Sequence, residues 1–182
     1  MSATIILNTT SSDSALAKLK ARAPLAMARA INRSIASGKT LMVRLVSVDM
    51  GLKQADIRDK IVVVSATPDR LMAQLRASAK RIPLIDFKAR GPEPSRGRGR
   101  GVTAKMPGGK GRYPNAFIAQ MSSGHRGVFA RSDRRRLPIR ELFGPSIAFV
   151  FSKHVEQGQA RALEQLEKNI QSEFRFISQV AA

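Results

Sequence analysis

Cysteine and tryptophan are absent from this chain, tyrosine occurs once (Tyr113), and only 13 acidic residues face 32 lysines and arginines across 182 residues. Without cysteine there are no disulfides, no thiolate nucleophile and no thiolate metal site, although the compartment stays open because such a chain is stable in either redox state. With aromatics at 5%, a core has to be built from Ile, Leu, Val, Ala and Met, with eight Phe as anchors. No run of about eighteen apolar residues is present, so no membrane-spanning helix is expected. Met1 to Asn8 has a short apolar run but lacks a basic leader and a cleavage pattern, which argues against a secretory signal.

The scarcity of acid leaves a formal charge of +19, and the excess is local. Between Lys88 and Arg136 stand thirteen basic residues against Glu93 and Asp133, more than half of the chain's surplus. A field of that size attracts polyanions, so the expected partners are nucleic acid or acidic protein surfaces. The sharpest element is RGRGRG at Arg96 to Gly101, followed by Lys105, Lys110 and Arg112, and then by Arg134, Arg135 and Arg136. Arg pairs bidentately with phosphate and Gly lets a backbone follow an irregular anionic surface. No aromatic side chain is interleaved in the Arg-Gly run, which disfavours base stacking and single-strand sequence reading. A flexible charged loop that only confers solubility is the ordinary alternative.

Hydrophobic periodicity gives the element order. From Asp13 to Val48, Leu16, Leu19, Ala23, Met27, Ala30, Ile31, Ser34, Ile35, Met42 and Leu45 recur at spacings of three and four, an amphipathic helix whose other face carries Lys18, Lys20, Arg22, Arg29, Arg33 and Lys39. Pro24 predicts either a kink or the first turn of a second helix. Leu52 to Lys60 reads as a short helix, Ile61 to Ala66 as a strand, and Pro68-Asp69 as a turn. Leu71 to Ser78 alternates like a half-buried strand, with Leu71, Ala73, Leu75 and Ala77 inward, and Ile82 to Arg90 reads as another strand. From Gly91 to Arg112 seven glycines and three prolines predict a long loop or arm outside the core, or a hairpin whose short strand is Val102 to Met106. Asn115 to Met121 and His125 to Arg131 flank Ser122-Ser123-Gly124 as a hairpin. Pro138 and Pro145 argue against one helix over Leu137 to Phe151. A last helix, Val155 to Val180, sets Leu163, Leu166, Ile170, Phe174 and Ile177 on one face and pairs Glu164 with Lys168. The class is α+β: N-terminal helices, a mainly antiparallel sheet interrupted by a basic Gly/Arg-rich arm at about 91–112, and a C-terminal amphipathic helix, read as one domain over 1–182.

Nothing in this pattern forms a catalytic, cofactor or metal constellation. His125 and His154 have no second histidine or carboxylate at ligand spacing in the sequence. Ser122 and Ser123 lack the strand, tight turn and helix of a hydrolase nucleophile. PGGKGR at Pro107 to Arg112 lacks the hydroxyl residue after its lysine and the glycine five residues before it, so it is no phosphate loop. Asp56 with Asp59, and Glu164 with Glu167, read as exposed solubilising charge. No enzymatic activity, cofactor or metal is expected.

Taken together, AMARAINRSIAS (Ala26 to Ser37), IPLIDFKAR (Ile82 to Arg90), YPNAFIAQMSSGHRGVFAR (Tyr113 to Arg131) and LPIRELFGPSIAFVF (Leu137 to Phe151), followed by an amphipathic helix, resemble the tail protein Z family of tailed phages and prophages. The resemblance implies a non-enzymatic virion protein, assembled in the host cytoplasm, that completes the head-proximal end of a long tail for joining to the head. It implies several copies in a ring, six by the symmetry of long tails, meeting the tail terminator, the head connector and DNA in the channel, with no membrane partner. Phe117, Phe129, Phe143, Phe149 and Phe151 fall in the resembling segments and are candidates for burial between subunits, plain core packing being the other reading. A stand-alone basic nucleic-acid-binding protein is the competing function that the charge permits.

Overall fold

The structure, a computed structural model, describes residues 10–93, 101–132, 135 and 137–181. Helix α1 runs Thr10–Met50. A short helix α2, Gln54–Arg58, precedes strands β1 (Ile61–Val64), β2 (Gln74–Ala77) and β3 (Arg81–Pro83), and a 3-10 turn at Leu84–Phe87. Strands β4 (Val102–Met106), β5 (Gly109–Tyr113), β6 (Ala116–Gln120), β7 (Arg126–Arg131), β8 (Ile139–Glu141) and β9 (Phe143–Ser146) follow, then helices α3 (Ile147–Ser152) and α4 (Val155–Ala181). Strand β1 pairs with β2, β3 with β9, and β4 with β5, while β6, β7 and β8 form a three-stranded sheet with β7 in the middle. The β3–β9, β4–β5, β6–β7 and β7–β8 pairs are antiparallel, so the class is α+β.

Internal contacts gather the chain into two compact units. One takes the chain up to Thr40, Val63–Leu75 and the chain from Gln157; the other takes Leu41–Val62 and Arg76–Glu156.

In the first unit, α1 and α4 meet through small residues. Ala26, Ala30, Ser34 and Gly38, each four positions on, are buried on α1. A Cβ on Gly38 would stand 3.1 Å from the Gly158 carbonyl oxygen and 3.3 Å from the Ala162 Cβ, so the two backbones approach closely there. Rows at i, i+4 are the ridges that interdigitate in helix packing. Ser34 donates to the Ala30 carbonyl at 2.6 Å and accepts from Asn169 Nδ2 at 2.9 Å. Asn32 donates to the Ala66 carbonyl at 2.9 Å and accepts from its N–H at 2.7 Å, tying the segment after β1 to α1. Helix α1 continues through Pro24, so the proline does not open a second helix. The proline removes one backbone donor, but Ala, Leu, Met, Lys and Arg on both sides are strong helix formers and keep the turns intact. The side chains of Leu16, Lys18 and Leu19 and the Met1 to Asn8 segment lie outside the described set.

The last helix departs from expectation on one point. Ile177 is buried and Leu166 and Ile170 are half-buried, but Leu163 and Phe174 are exposed. The face toward α1 is centred on Gly158, Ala162, Asn169 and Glu173, and Leu163 and Phe174 stand about a third of a turn away from its centre at 100° per residue.

The second unit has a β-rich core. Met42, Val43, Val46 and Met50 of α1, Ile57, Ile61, Leu84, Phe87, Val102, Ile118, Val128, Ile147 and Val150 are all buried. Consecutive burial of Gly127 to Ala130 marks β7 as covered on both faces, as a middle strand should be. The Ile82 to Arg90 segment is a strand only to Pro83 and then a 3-10 turn; Leu84 and Phe87 both point inward because i, i+3 residues eclipse there. Similarly β2 is confined to Gln74–Ala77, and Leu71 is exposed. Gly144 lets the Phe87 ring lie against the β9 backbone, since a Cβ there would fall 2.4 Å from the ring edge.

The expected basic arm is folded in its second half. Strand β5, which the sequence reading did not assign, pairs with β4 across a two-residue Pro107-Gly108 turn, with Met106 opposite Gly109 and Val102 opposite Tyr113. Val102 and Ala104 are core residues, and Arg90 and Thr103 exchange two backbone hydrogen bonds of 2.8 Å. Gly101 holds a left-handed φ of +82°, and a Cβ there would lie 2.2 Å from the Tyr113 carbonyl oxygen.

Candidate assembly and polyanion surfaces

Register determines what the basic hairpin displays. Lys105 stands opposite Lys110 and Thr103 opposite Arg112, so these side chains share the face turned away from buried Val102 and Ala104. Lys105, Lys110 and Arg112 are all exposed. Directly opposed like charges cost a few tenths of a kcal/mol in a ladder, so the Lys105–Lys110 pair favours an anion brought between them. Arg135 is exposed as well. Arg96, Arg98, Arg100, Arg134 and Arg136 lie outside the described residues.

The five phenylalanines separate by environment. Phe117 and Phe129 are cross-strand partners on β6 and β7, with ring centroids 6.3 Å apart. The Arg131 guanidinium lies 5.5 Å over the Phe117 ring, and His125 meets Phe129 edge-on at 6.4 Å. Phe129 is buried, and Phe117 and Phe151 are half-buried. Phe143 and Phe149 are 46% and 58% exposed, and of the five these two are the exposed ones. Lys153 Nζ lies 5.0 Å from the Phe149 ring.

Each histidine does have a carboxylate neighbour in space, which the sequence spacing hid. His125 Nε2 is 2.9 Å from Glu141 Oε1 and His154 Nε2 is 2.8 Å from Asp49 Oδ2, across separations of 16 and 105 residues. Among the described residues no group of three or more His, Cys, Asp or Glu is placed to hold a metal ion, and no helix is long and apolar enough to cross a membrane.

A cleft of about 580 Å³ in the second unit is lined by Asp56, Asp59 and Asp86 together with Lys60, Lys80 and Arg81. Partial burial raises the Asp86 pKa above the ordinary aspartate value, and the charges of Asp56 and Glu141 push it further, against the opposing pull of Lys60. In the first unit the nearly buried Glu173 accepts from Arg33 at 2.9 Å. On α4, Glu164 receives Arg161 at 2.7 Å and Lys168 at 2.9 Å, and these two hydrogen bonds lower its pKa.

The sequence profile described as Prophage minor tail protein Z (GPZ) matches residues 11–179, nearly the whole chain. The chain therefore belongs to the prophage minor tail protein Z family, a family of phage tail structural proteins. It is also similar to a protein named "Tail completion protein" from Escherichia phage N15, with 27% identity over 131 residues that span 71% of each chain. No solved structure matches.

Proposed function

We propose that this chain is a non-catalytic component of the virion that finishes the head-proximal end of a phage tail and makes it competent to join the head. It acts as several copies in a ring, hexameric by the symmetry of long tails, between the tail terminator and the head connector. Family membership over residues 11–179 carries this reading, and the name of the N15 relative supports the completion step. The exposed rings of Phe143 and Phe149 serve the subunit contacts, and Lys105, Lys110 and Arg112 face DNA in the channel or an acidic neighbour.

Deleting the gene from its phage or prophage is the direct test. Filled heads and full-length tails are expected to accumulate unjoined, with infectivity restored by supplying the chain in trans. Joined, infectious particles formed without it would refute the role. The channel assignment is checked separately by titrating salt against duplex DNA binding. If the three hairpin cations contact phosphate, K105A/K110A/R112A lowers the slope of log affinity against log salt by about 2 to 3. An isolated monomer that binds DNA tightly, with particles lacking the chain, would instead favour the stand-alone nucleic-acid binder.

A further inference from the structure

On the first unit, α1 and α4 enclose a groove that the contacts above leave open. Its floor is Leu25 and Ala26 from α1 with Phe176 and Ile177 from α4. Leu25 is 44% exposed and Phe176 56%, although both are large and apolar. Arg22, Arg29 and Arg33 form one row along its α1 side, the spacings of seven and four residues keeping them on one face. Arg33 is engaged by Glu173, whereas Arg22 and Arg29 form no ion pair among the described residues. The groove is thus apolar at its base and cationic at its rim.

The same helix α4 carries the complementary surface on another side. Leu163, Glu167 and Phe174 recur at spacings of four and seven and are all exposed, with Ala160 and Gln171 beside them. Glu167, unlike Glu164, has no cation within ion-pair distance among the described residues. Arg161, Lys168 and Arg175 lie about 100° or more round the helix from this ridge, which is therefore apolar and acidic. In a chain of +19 an acidic, leucine-bearing helical face is an uncommon resource, and the groove is shaped and charged to receive one.

We propose that the Leu163–Glu167–Phe174 ridge of one copy docks in the Arg22–Arg29 groove of the next copy. Glu167 meets Arg29, and Leu163 covers Leu25 and Phe176. With the docked helix parallel to α1 the register agrees: Glu167 lies four residues after Leu163, as Arg29 lies four residues after Leu25. Groove and ridge are different patches of one molecule, so the contact is head-to-tail and closes into a ring when the rotation allows. This inference deepens the multi-copy reading proposed above and rests on it.

The absence of cysteine makes the test clean, because an introduced thiol is the chain's only one. Leu25→Cys and Leu163→Cys are prepared singly, shown to keep their far-UV spectrum, and treated with a short bismaleimide at concentrations where the wild type self-associates by sedimentation. The mixture is expected to give a cross-linked dimer in clear excess over either variant alone. Reversing charge in R29E is expected to weaken association about tenfold, and adding E167R in the same chain to recover it. Self-association with no mixed cross-link, or with equal cross-linking in each single variant, overturns this contact and leaves the multi-copy reading standing. A wild-type chain that stays monomeric at every concentration and yields no cross-link overturns both.

Discussion

Helix α1 contributes to both compact units, and its two halves use the same i, i+4 row for different purposes. Ala26, Ala30, Ser34 and Gly38 are small, so the first half brings α4 to backbone distance and joins it through hydrogen bonds and the Arg33–Glu173 pair. Met42, Val46 and Met50 are long or branched, and the second half fills a core with Phe87, Leu84 and Ile147. The contrast teaches that one amphipathic pattern encodes two kinds of stability. Close helix contact depends on what is missing from the side chains, while the β-rich core depends on volume and apolar area removed from water.

The largest expected effect attacks volume. Phe87→Ala should cost about 3–5 kcal/mol, read as a lowered denaturation midpoint, because a fully buried ring is replaced by a cavity. If the first unit depends on the absence of a side chain, Gly38→Leu should cost about 1–3 kcal/mol by overpacking against Gly158 and Ala162, although leucine is the better helix former. A neutral or stabilised Gly38→Leu would erase the distinction between the halves.

The smallest effect concerns charge at the cleft of the second unit. Asp86 has a raised pKa in the folded state, so between its ordinary and its raised value the native chain holds more proton than the unfolded chain. Stability therefore falls as pH rises through that window, and the penalty persists at neutral pH. Asp86→Asn should melt at a higher temperature than the wild type at pH 7, and the difference should vanish below the ordinary Asp pKa of about 3.9. A variant less stable at pH 7 would mean that the carboxylate is held favourably.

Several features could be read from residues alone, and the failures have definite causes. The Ser122-Ser123-Gly124 and Pro68-Asp69 turns, strand β1, and the breaks at Pro138 and Pro145 follow from local turn chemistry and β-branching, which act within a few residues. Strand β5 escaped because Gly109, Lys110, Gly111 and Arg112 have no intrinsic strand preference; pairing with β4, anchored by Val102 and Ala104, imposes it. The Leu84–Phe87 turn escaped because a short apolar run fits alternation and i, i+3 spacing equally well. On α4, periodicity located an apolar arc wider than one partner helix covers, so it could not say that Leu163 and Phe174 stay outside. For the candidate surface residues the chemistry was legible in the residue types, but only register places Lys105, Lys110 and Arg112 on one face, and only packing separates Phe143 and Phe149 from buried Phe129.

The central claim is that this chain works as a structural part of the tail at its junction with the head. A cryo-EM reconstruction of the intact head-to-tail junction of the phage that encodes it tests this most directly. The account predicts several symmetry-related copies of the chain in a ring at the head-proximal end of the tail. A junction fully built from other proteins, with this chain missing from the particle, would contradict it.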